Sequence, residues 1–353
     1  MSFLSSSPHF KSKLNTQSIM LTVLMALLPE CIEGVVIFGW QALVTILVSI
    51  AGCVGFEALF QFITKQKIVV KNLSAAVTGV LLALVIPPTV PVWMVLLGDL
   101  VAIVIAKGLF GGIGSNVFNP ALTGRAFLFI SFPAVLGAKW LDPQLLESGK
   151  TGLDAVTSAT VLSQVKAGTL ENFDYLQYFW GNRAGCIGET SIFWILISFA
   201  FLLVSHIIDW RAPLAMVGTV VAGTFIKGLC TGGGVSGAAN DVLIALLTGG
   251  LLFGATFMIT DYATAPVTKP GRWIFGFGAG LITFLIRSFG GYPEGVMFSI
   301  LIMNALAPLL NNLTGRMYGY GRKGHKRPAH PAMVQDFDVE NSKPRNLDGE
   351  AAK

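Results

Sequence analysis

Long apolar runs alternate with short polar breaks along most of this chain. A helix that crosses a bilayer needs about 20 mainly apolar residues. On that criterion ten spans are expected, at approximately 18–38, 41–63, 73–89, 93–112, 121–138, 190–208, 213–230, 241–260, 273–288 and 294–312. The short third span and the many Gly and Pro residues suggest that some helices are broken or tilted. One long hydrophilic segment, 139–190, interrupts the pattern, and the chain after Tyr320 is polar, charged and proline-containing. The reading is an all-α polytopic membrane protein of about ten transmembrane helices. It divides into a five-helix unit at 1–138, a loop at 139–189, a second five-helix unit at 190–315 and a basic tail at 316–353. The tail is expected to be disordered.

Composition strengthens this reading. Apolar residues make up 53% of the chain and charged ones only 12%, whereas soluble domains carry about 25% charged residues. The 40 glycines suit closely packed transmembrane helices. A net charge of +5 is no nucleic-acid signature here, because the basic residues fall in loops and the tail. Met1 to Gln17 is polar and lacks the apolar core of a cleavable signal peptide, so the first span is expected to stay in place. Cys31, Cys53, Cys186 and Cys230 are scattered without CxxC spacing, which excludes a two-cysteine metal or redox motif. A cluster assembled with a partner chain stays open. No catalytic residue or metal-ligand set stands out.

The lysines and arginines set the orientation. With the N-terminus in the cytoplasm, the inside segments hold Lys11, Lys13, Lys65, Lys67, Lys71, Arg211, Lys269, Arg272 and the basic tail. The short outer loops, 39–40, 88–92, 231–240 and 289–293, hold none. Lys107 fits at an inner span end, while Lys227 and Arg287 lie at outer ends and do not. The 139–190 loop then falls outside.

An internal repeat accompanies the ten-span count. Ala76-Val77-Thr78-Gly79-Val80-Leu81-Leu82 resembles Leu246-Leu247-Thr248-Gly249-Gly250-Leu251-Leu252. Lys107-Gly108-Leu109-Phe110-Gly111-Gly112 resembles Arg287-Ser288-Phe289-Gly290-Gly291. An offset of five spans gives two halves of opposite topology, the inverted-repeat plan of many transport folds. Chance similarity between Gly-rich apolar stretches is the alternative.

Several polar features stand out. Asp154-Ala155-Val156-Thr157-Ser158-Ala159-Thr160-Val161-Leu162 would place a threonine hydroxyl on an accessible turn, where it could accept a covalent group. A plain turn with hydroxyls bonded to nearby amides explains the same residues. Asn116 to Arg125 opens the fifth span with a guanidinium near its start, and Thr260 to Pro266 closes the eighth around Asp261. An Asp or Arg at membrane depth is expensive unless paired or hydrated, so each marks a candidate site, with helix capping at the interface as the alternative. Glu57 and Asp99 lie within spans, where they either pair with neighbours or face a hydrated cavity. His206 and Asp209 read as interfacial.

Taken together these stretches are similar to one family. Lys71-Asn72-Leu73-Ser74-Ala75, Phe118-Asn119-Pro120-Ala121, Ile259-Thr260-Asp261 with Thr264, and Ile286 to Gly295 resemble, in collinear order from about residue 7 to about 320, the RnfD/NqrB family. These are membrane subunits of the Rnf and sodium-pumping NADH:quinone oxidoreductase complexes. The chain is more similar to RnfD, because it lacks the longer N-terminal extension of NqrB-type chains. The resemblance implies FMN esterified through its phosphate to the last threonine of an S/T-G-A-T type motif. Here Thr157-Ser158-Ala159-Thr160 occupies that motif with Ser158 in place of Gly, so Thr160 is the expected attachment point. The resemblance further implies a second, non-covalent flavin, riboflavin, for which Asn119, Thr123, Arg125, Asp261 and Thr264 are candidate contacts. Phe173, Tyr175, Tyr178, Phe179 and Trp180 could pack on the covalent flavin or anchor the loop at the membrane surface.

The function implied is electron transfer through flavin in an Rnf-type complex that couples ferredoxin/NAD chemistry to Na⁺ or H⁺ movement. Partners would be other Rnf-type subunits, including a second flavin carrier and iron–sulfur and NAD-binding subunits, since this chain has no GxGxxG fingerprint and no cysteine cluster. Membrane lipid is expected around it and nucleic acid is not. The place would be a bacterial or archaeal cytoplasmic membrane, with both termini inside and the flavin loop outside. Two rivals remain at this point: a quinone-reducing NqrB-like subunit, and a transporter or channel without redox chemistry.

Overall fold

The computed structural model describes residues 15–137, 140–141, 157–158, 174–232, 234–290 and 295–319. Its regular elements among the described residues are helical apart from one two-residue antiparallel ladder. In that ladder β1 (Trp140–Leu141) pairs with β2 (Thr157–Ser158), Leu141 opposite Thr157. The helices of the first half are α1 (Thr16–Phe38), α2 (Trp40–Ile63), α3 (Ser74–Leu84), α4 (Val92–Leu100), α5 (Pro120–Ser131) and the one-turn α6 (Pro133–Leu136). A π-helical stretch, Val101–Gly108, continues α4.

A short α7 (Tyr175–Trp180) precedes the second half. That half holds α8 (Ile192–Val204), α9 (Arg211–Cys230), α10 (Gly234–Leu247), α11 (Leu251–Phe253), α12 (Lys269–Phe289) and α13 (Val296–Gly319). A second π-helical stretch, Gly254–Met258, continues α11.

Each of the ten expected spans contains helix, and the chain is a polytopic membrane protein. By length and apolarity α1, α2, α9 and α13 could each cross a bilayer alone. The eighth span differs from the expected 241–260. Its helix starts at Gly234, inside the expected outer loop 231–240, and breaks after Leu247, so that the two pieces meet at a bend of 63°. The cause is Thr248-Gly249-Gly250: Gly249 has φ +67, which an L side chain adopts only with strain. Gly250 lies against the Glu189 carboxylate, where a Cβ would collide. The third span is shorter than 73–89, because α3 ends at Leu84 ahead of the Pro87-Pro88 pair. Phe132-Pro133 divides the fifth.

Helix starts carry their own signals. Asn119 caps α5 by accepting the Leu122 N–H at 3.3 Å, with Pro120 in the first turn. Thr268 does the same for α12 through the Gly271 N–H at 3.2 Å, followed by Pro270.

The sequence-similar stretches make comparable contacts. Thr78 in α3 and Thr248 after α10 each return a hydroxyl to the carbonyl four residues back, Ser74 O and Ile244 O. Lys107 reaches Ser74 at the start of α3, and Arg287 reaches the Ala245 and Thr248 carbonyls at 3.0 and 3.4 Å. Arg287 thus caps the end of a broken helix, which gives a structural use to a cation that departs from the expected charge pattern. The helices of the first and sixth expected spans, α1 and α8, pack on each other, as do those of the fifth and tenth, α5 and α13. Lys227, the other cation out of pattern, is exposed.

Candidate functional site: a cavity where the two halves meet

Half-helices end inside the bundle, and polar side chains gather at their ends. α3 starts from Leu73, whose backbone is left-handed at φ +61, and its first residue Ser74 accepts the Lys107 Nζ at 2.7 Å. The same Nζ lies 2.7 Å from Glu57 Oε1, a pair whose side chains are 5% and 7% exposed. From the second half, the chain leaves its π-helical stretch through Thr260 and Asp261. Asp261 accepts the Thr264 hydroxyl at 3.1 Å.

Ser74, Lys107, Thr260 and Asp261 border a cavity of about 560 Å³. Its polar lining includes Ser74, Thr78, Lys107, Asn116, Asn119, Thr260, Asp261 and Asn311. Its apolar lining includes Ile19, Met20 and Val23 of α1, Leu81 of α3, Leu202 of α8, and Phe257 and Tyr262. Asn119 is held rigidly: besides capping α5 it donates to the Met258 carbonyl at 3.4 Å, joining the two halves. Both Asn119 and Asp261 therefore line the cavity, as their sequence context suggests. Thr123 returns its hydroxyl to Asn119 O and, with Arg125 and Thr264, is not among the lining residues.

Arg125 belongs to a separate buried cluster. Its Nη1 lies 3.3 Å from Glu189 Oε1 and its Nη2 3.4 Å from Cys186 Sγ. Arg183, in the same returning segment, donates to the carbonyls of Leu247 and Glu189. Glu189 went unremarked in the sequence. The signal available was a lone acid among small residues, Gly185 to Ser191, ahead of the sixth span.

A second cavity of about 530 Å³ adjoins the first, sharing Asp261 and Tyr262, and is lined by His206, Asp209, Arg211 and Arg272. Asp209 Oδ2 lies 2.6 Å from both Arg211 and Arg272. Burial raises the Asp209 carboxyl, but the Arg211 N–H and the two guanidiniums outweigh it and leave it below its ordinary value. It is the anchor of the α8–α9 turn rather than a free interfacial charge.

Of the expected attachment motif, Thr157 and Ser158 form β2, while Ala159 and Thr160 lie outside the described residues. Phe173 lies outside them as well. Trp180 stacks at 4.9 Å on Phe193 of α8, so the end of the loop is seated on the helical bundle. Among the described residues no group of three or more His, Cys, Asp or Glu could hold a metal.

Comparison with known proteins gives these sites a context. The family described as NQR2, RnfD, RnfE matches residues 3–319. One relative is the D subunit of the Na(+)-translocating ferredoxin:NAD(+) oxidoreductase complex of Acetobacterium woodii. It is 40% identical over 89% of this chain and 94% of the relative. A second is the D subunit of the proton-translocating ferredoxin:NAD(+) oxidoreductase complex of Clostridium ljungdahlii, 40% identical over 88% of this chain and 94% of the relative. A third, the D subunit of the ion-translocating oxidoreductase complex of an Escherichia coli strain, is 37% identical over 91% and 99%. With a match that spans nearly all of the described helices, this chain belongs to the NQR2, RnfD, RnfE family.

Proposed function

We propose that this chain is a membrane subunit of an ion-translocating ferredoxin:NAD⁺ oxidoreductase complex, and that it carries electrons on flavin. The observation that carries the reading is near full-length similarity to D subunits of such complexes, together with a cavity of small-molecule size lined by apolar and polar groups. That cavity, at about 560 Å³, falls within the range of small-molecule sites, with apolar walls and a few convergent polar groups. Its donor set supports riboflavin: Lys107 and Asn119 can donate to ring carbonyls, and Asp261 can accept from ring or ribityl hydrogens. Phe257, Leu81 and Met20 would exclude water from the ring faces.

FMN would be joined by a phosphoester to Thr160, within Thr157-Ser158-Ala159-Thr160, on the outer face of the membrane. Flavin supplies one- or two-electron exchange, while the protein sets position and electrostatics. The fold would be two inverted five-helix repeats, with both termini in the cytoplasm. Iron–sulfur and NAD-binding work would fall to other subunits, a second flavin carrier among them.

The test is purification from cells that contain a flavin transferase, with ultraviolet fluorescence read in a denaturing gel. The wild-type band should fluoresce and Thr160→Ala should be dark. A dark wild-type band of verified mass would remove the covalent flavin and put the transporter reading ahead. Flavin released on denaturing the Thr160→Ala protein reports the second site. Asn119→Leu, which removes a donor and a helix cap together, should lower that release about tenfold, the equivalent of about 1.4 kcal/mol in affinity. Unchanged release would place the second flavin elsewhere.

A further inference from the structure

Asp99 is fully buried where α4 packs against α2, and no ion pair to it exists among the described residues. Its Oδ1 stands 2.6 Å from Ser49 Oγ and 3.2 Å from Cys53 Sγ. Its Oδ2 has no hydrogen-bond partner among the described residues and faces Gly52, where a Cβ would come within 2.6 Å. Ser49 Oγ also lies 2.8 Å from the Gly79 carbonyl of α3.

These distances can be read by counting hydrogens. A hydroxyl owns one hydrogen, and a carbonyl only accepts. If Asp99 is ionised, Ser49 can serve Asp99 or Gly79 but not both, and the other short contact sets lone pair against lone pair. Oδ2 would then be a bare, charged oxygen in an apolar interior, among the costliest arrangements a protein can hold. With a proton on Oδ1 every contact is used. Asp99 donates to Ser49, and Ser49 donates to Gly79. Cys53 S–H can donate to the remaining lone pair of Oδ1, and Oδ2 becomes the carbonyl oxygen of a neutral acid.

The neighbouring charges do not compete. On α2 the charged group is Glu57, paired with Lys107 of the stretch that continues α4. On α5 it is Arg125, paired with Glu189. α3 carries none, and Cys53 is the other titratable group at the site.

We propose that Asp99 is a proton-binding site inside the first half of the bundle, its proton held in the chain Asp99–Ser49–Gly79. On release the proton leaves Oδ1, one negative charge stays on the carboxylate, and the Ser49 hydroxyl turns from Gly79 to Oδ1. A route to the cavity runs along the same face. Ser49, Cys53 and Glu57 recur every fourth residue on α2, so they lie on one stripe opposite Asp99 and Lys107. Lys107 and Ser74 in turn line the cavity. Ile103 closes the route midway, packed with Cys53 and Ala75. Exchange with the cavity therefore needs α2 and α4 to part around Ile103. A role in ion coupling rests on the proposed function; protonation of Asp99 does not.

The experiment is infrared spectroscopy on the full chain in lipid nanodiscs, as the difference between wild type and the near-isosteric Asp99→Asn. At neutral pH it should contain a carboxylic-acid C=O band, unchanged by added sodium and shifted in Ser49→Ala. If Asp99→Asn does not fold, the wild-type minus Ser49→Ala difference carries the same band shift. Carboxylate bands in place of the acid band at neutral pH would overturn the proposal. Loss of the acid band on adding sodium would overturn it too, in favour of a cation site. Neither readout depends on flavin, so failure here is separable from failure of the electron-transfer reading.

Discussion

Lys107→Met should destabilise the chain by about 3–5 kcal/mol, the typical loss when one member of a buried ion pair is removed. Lys107 is 4% exposed, and its Nζ satisfies both Glu57 Oε1 and Ser74 Oγ at 2.7 Å. Taking away the ammonium leaves Glu57 with an unpaired charge, and its Oε2 already has no partner among the described residues. The double variant Glu57→Gln with Lys107→Met removes both charges, and most of the lost stability should return. Thermal unfolding in detergent of the two single variants and the double completes a mutant cycle. Additive losses would show that the two charges do not depend on each other.

The second large effect is expected at the α9–α12 crossing, the most extensive helix contact among the described residues. Gly276 and Gly280 sit one turn apart on α12, a small-residue row that lets two helix backbones touch. A Cβ at Gly276 would stand 2.8 Å from Ala215 Cβ and 3.0 Å from the Ala212 carbonyl carbon. A Cβ at Gly280 would meet the Met216 carbonyl oxygen at 2.5 Å. Backbone cannot swing aside as a side chain can. Gly276→Leu should therefore reach or exceed the upper end of the roughly 1–3 kcal/mol typical of overpacking, read as lost folded yield in size-exclusion chromatography. Gly218→Ala on α9 is the control. Nothing lies within 4 Å of its Cβ position, so its effect should stay within about 0.5 kcal/mol. A well-folded Gly276→Leu would mean that the crossing is looser than its backbone contacts imply.

Much of the architecture was readable in the sequence because spans are long and apolar while loops are short. The repeat is read from Thr78-Gly79 and Thr248-Gly249 and from a cation at matching places. What periodicity could not show is how each copy is used. Thr78-Gly79 runs on as helix, with Gly79 packed on Ser49, while Thr248-Gly249 breaks the chain by 63°. The doubled glycine at Gly249-Gly250 was the clue, and it matters only because Glu189 fills the space beside it.

The candidate site was legible in part, for a similar reason. Asn119 and Asp261 interrupt apolar pattern and do line the cavity, whereas Arg125 interrupts it equally and is consumed by Glu189 and Cys186. Sequence separates polar from apolar, but partner choice is decided by contacts far along the chain, as the 64-residue gap between Arg125 and Glu189 illustrates. The proton site at Asp99 was hidden differently. Asp99 stands out as an acid within a span, but Ser49 and Cys53 do not, and only their distances to Asp99 and Gly79 expose the hydrogen count.

The segment that returns between the halves bears on how the protein is made. Gly188 and Ile187 donate backbone N–H groups to Leu84 O and Ile86 O at 2.8 and 3.3 Å, at the end of the short α3. In lipid such carbonyls have no water to turn to. About a hundred residues of chain separate the two partners, so during synthesis α1 to α6 emerge well before the groups that complete them. The nascent first half must wait, with the end of α3 shielded by neighbouring helices or by insertion machinery, until residues 187–188 arrive. Assembly of this bundle is thus ordered in time: the early helices enter the membrane first but reach their final packing only after residues 187–188 have been made.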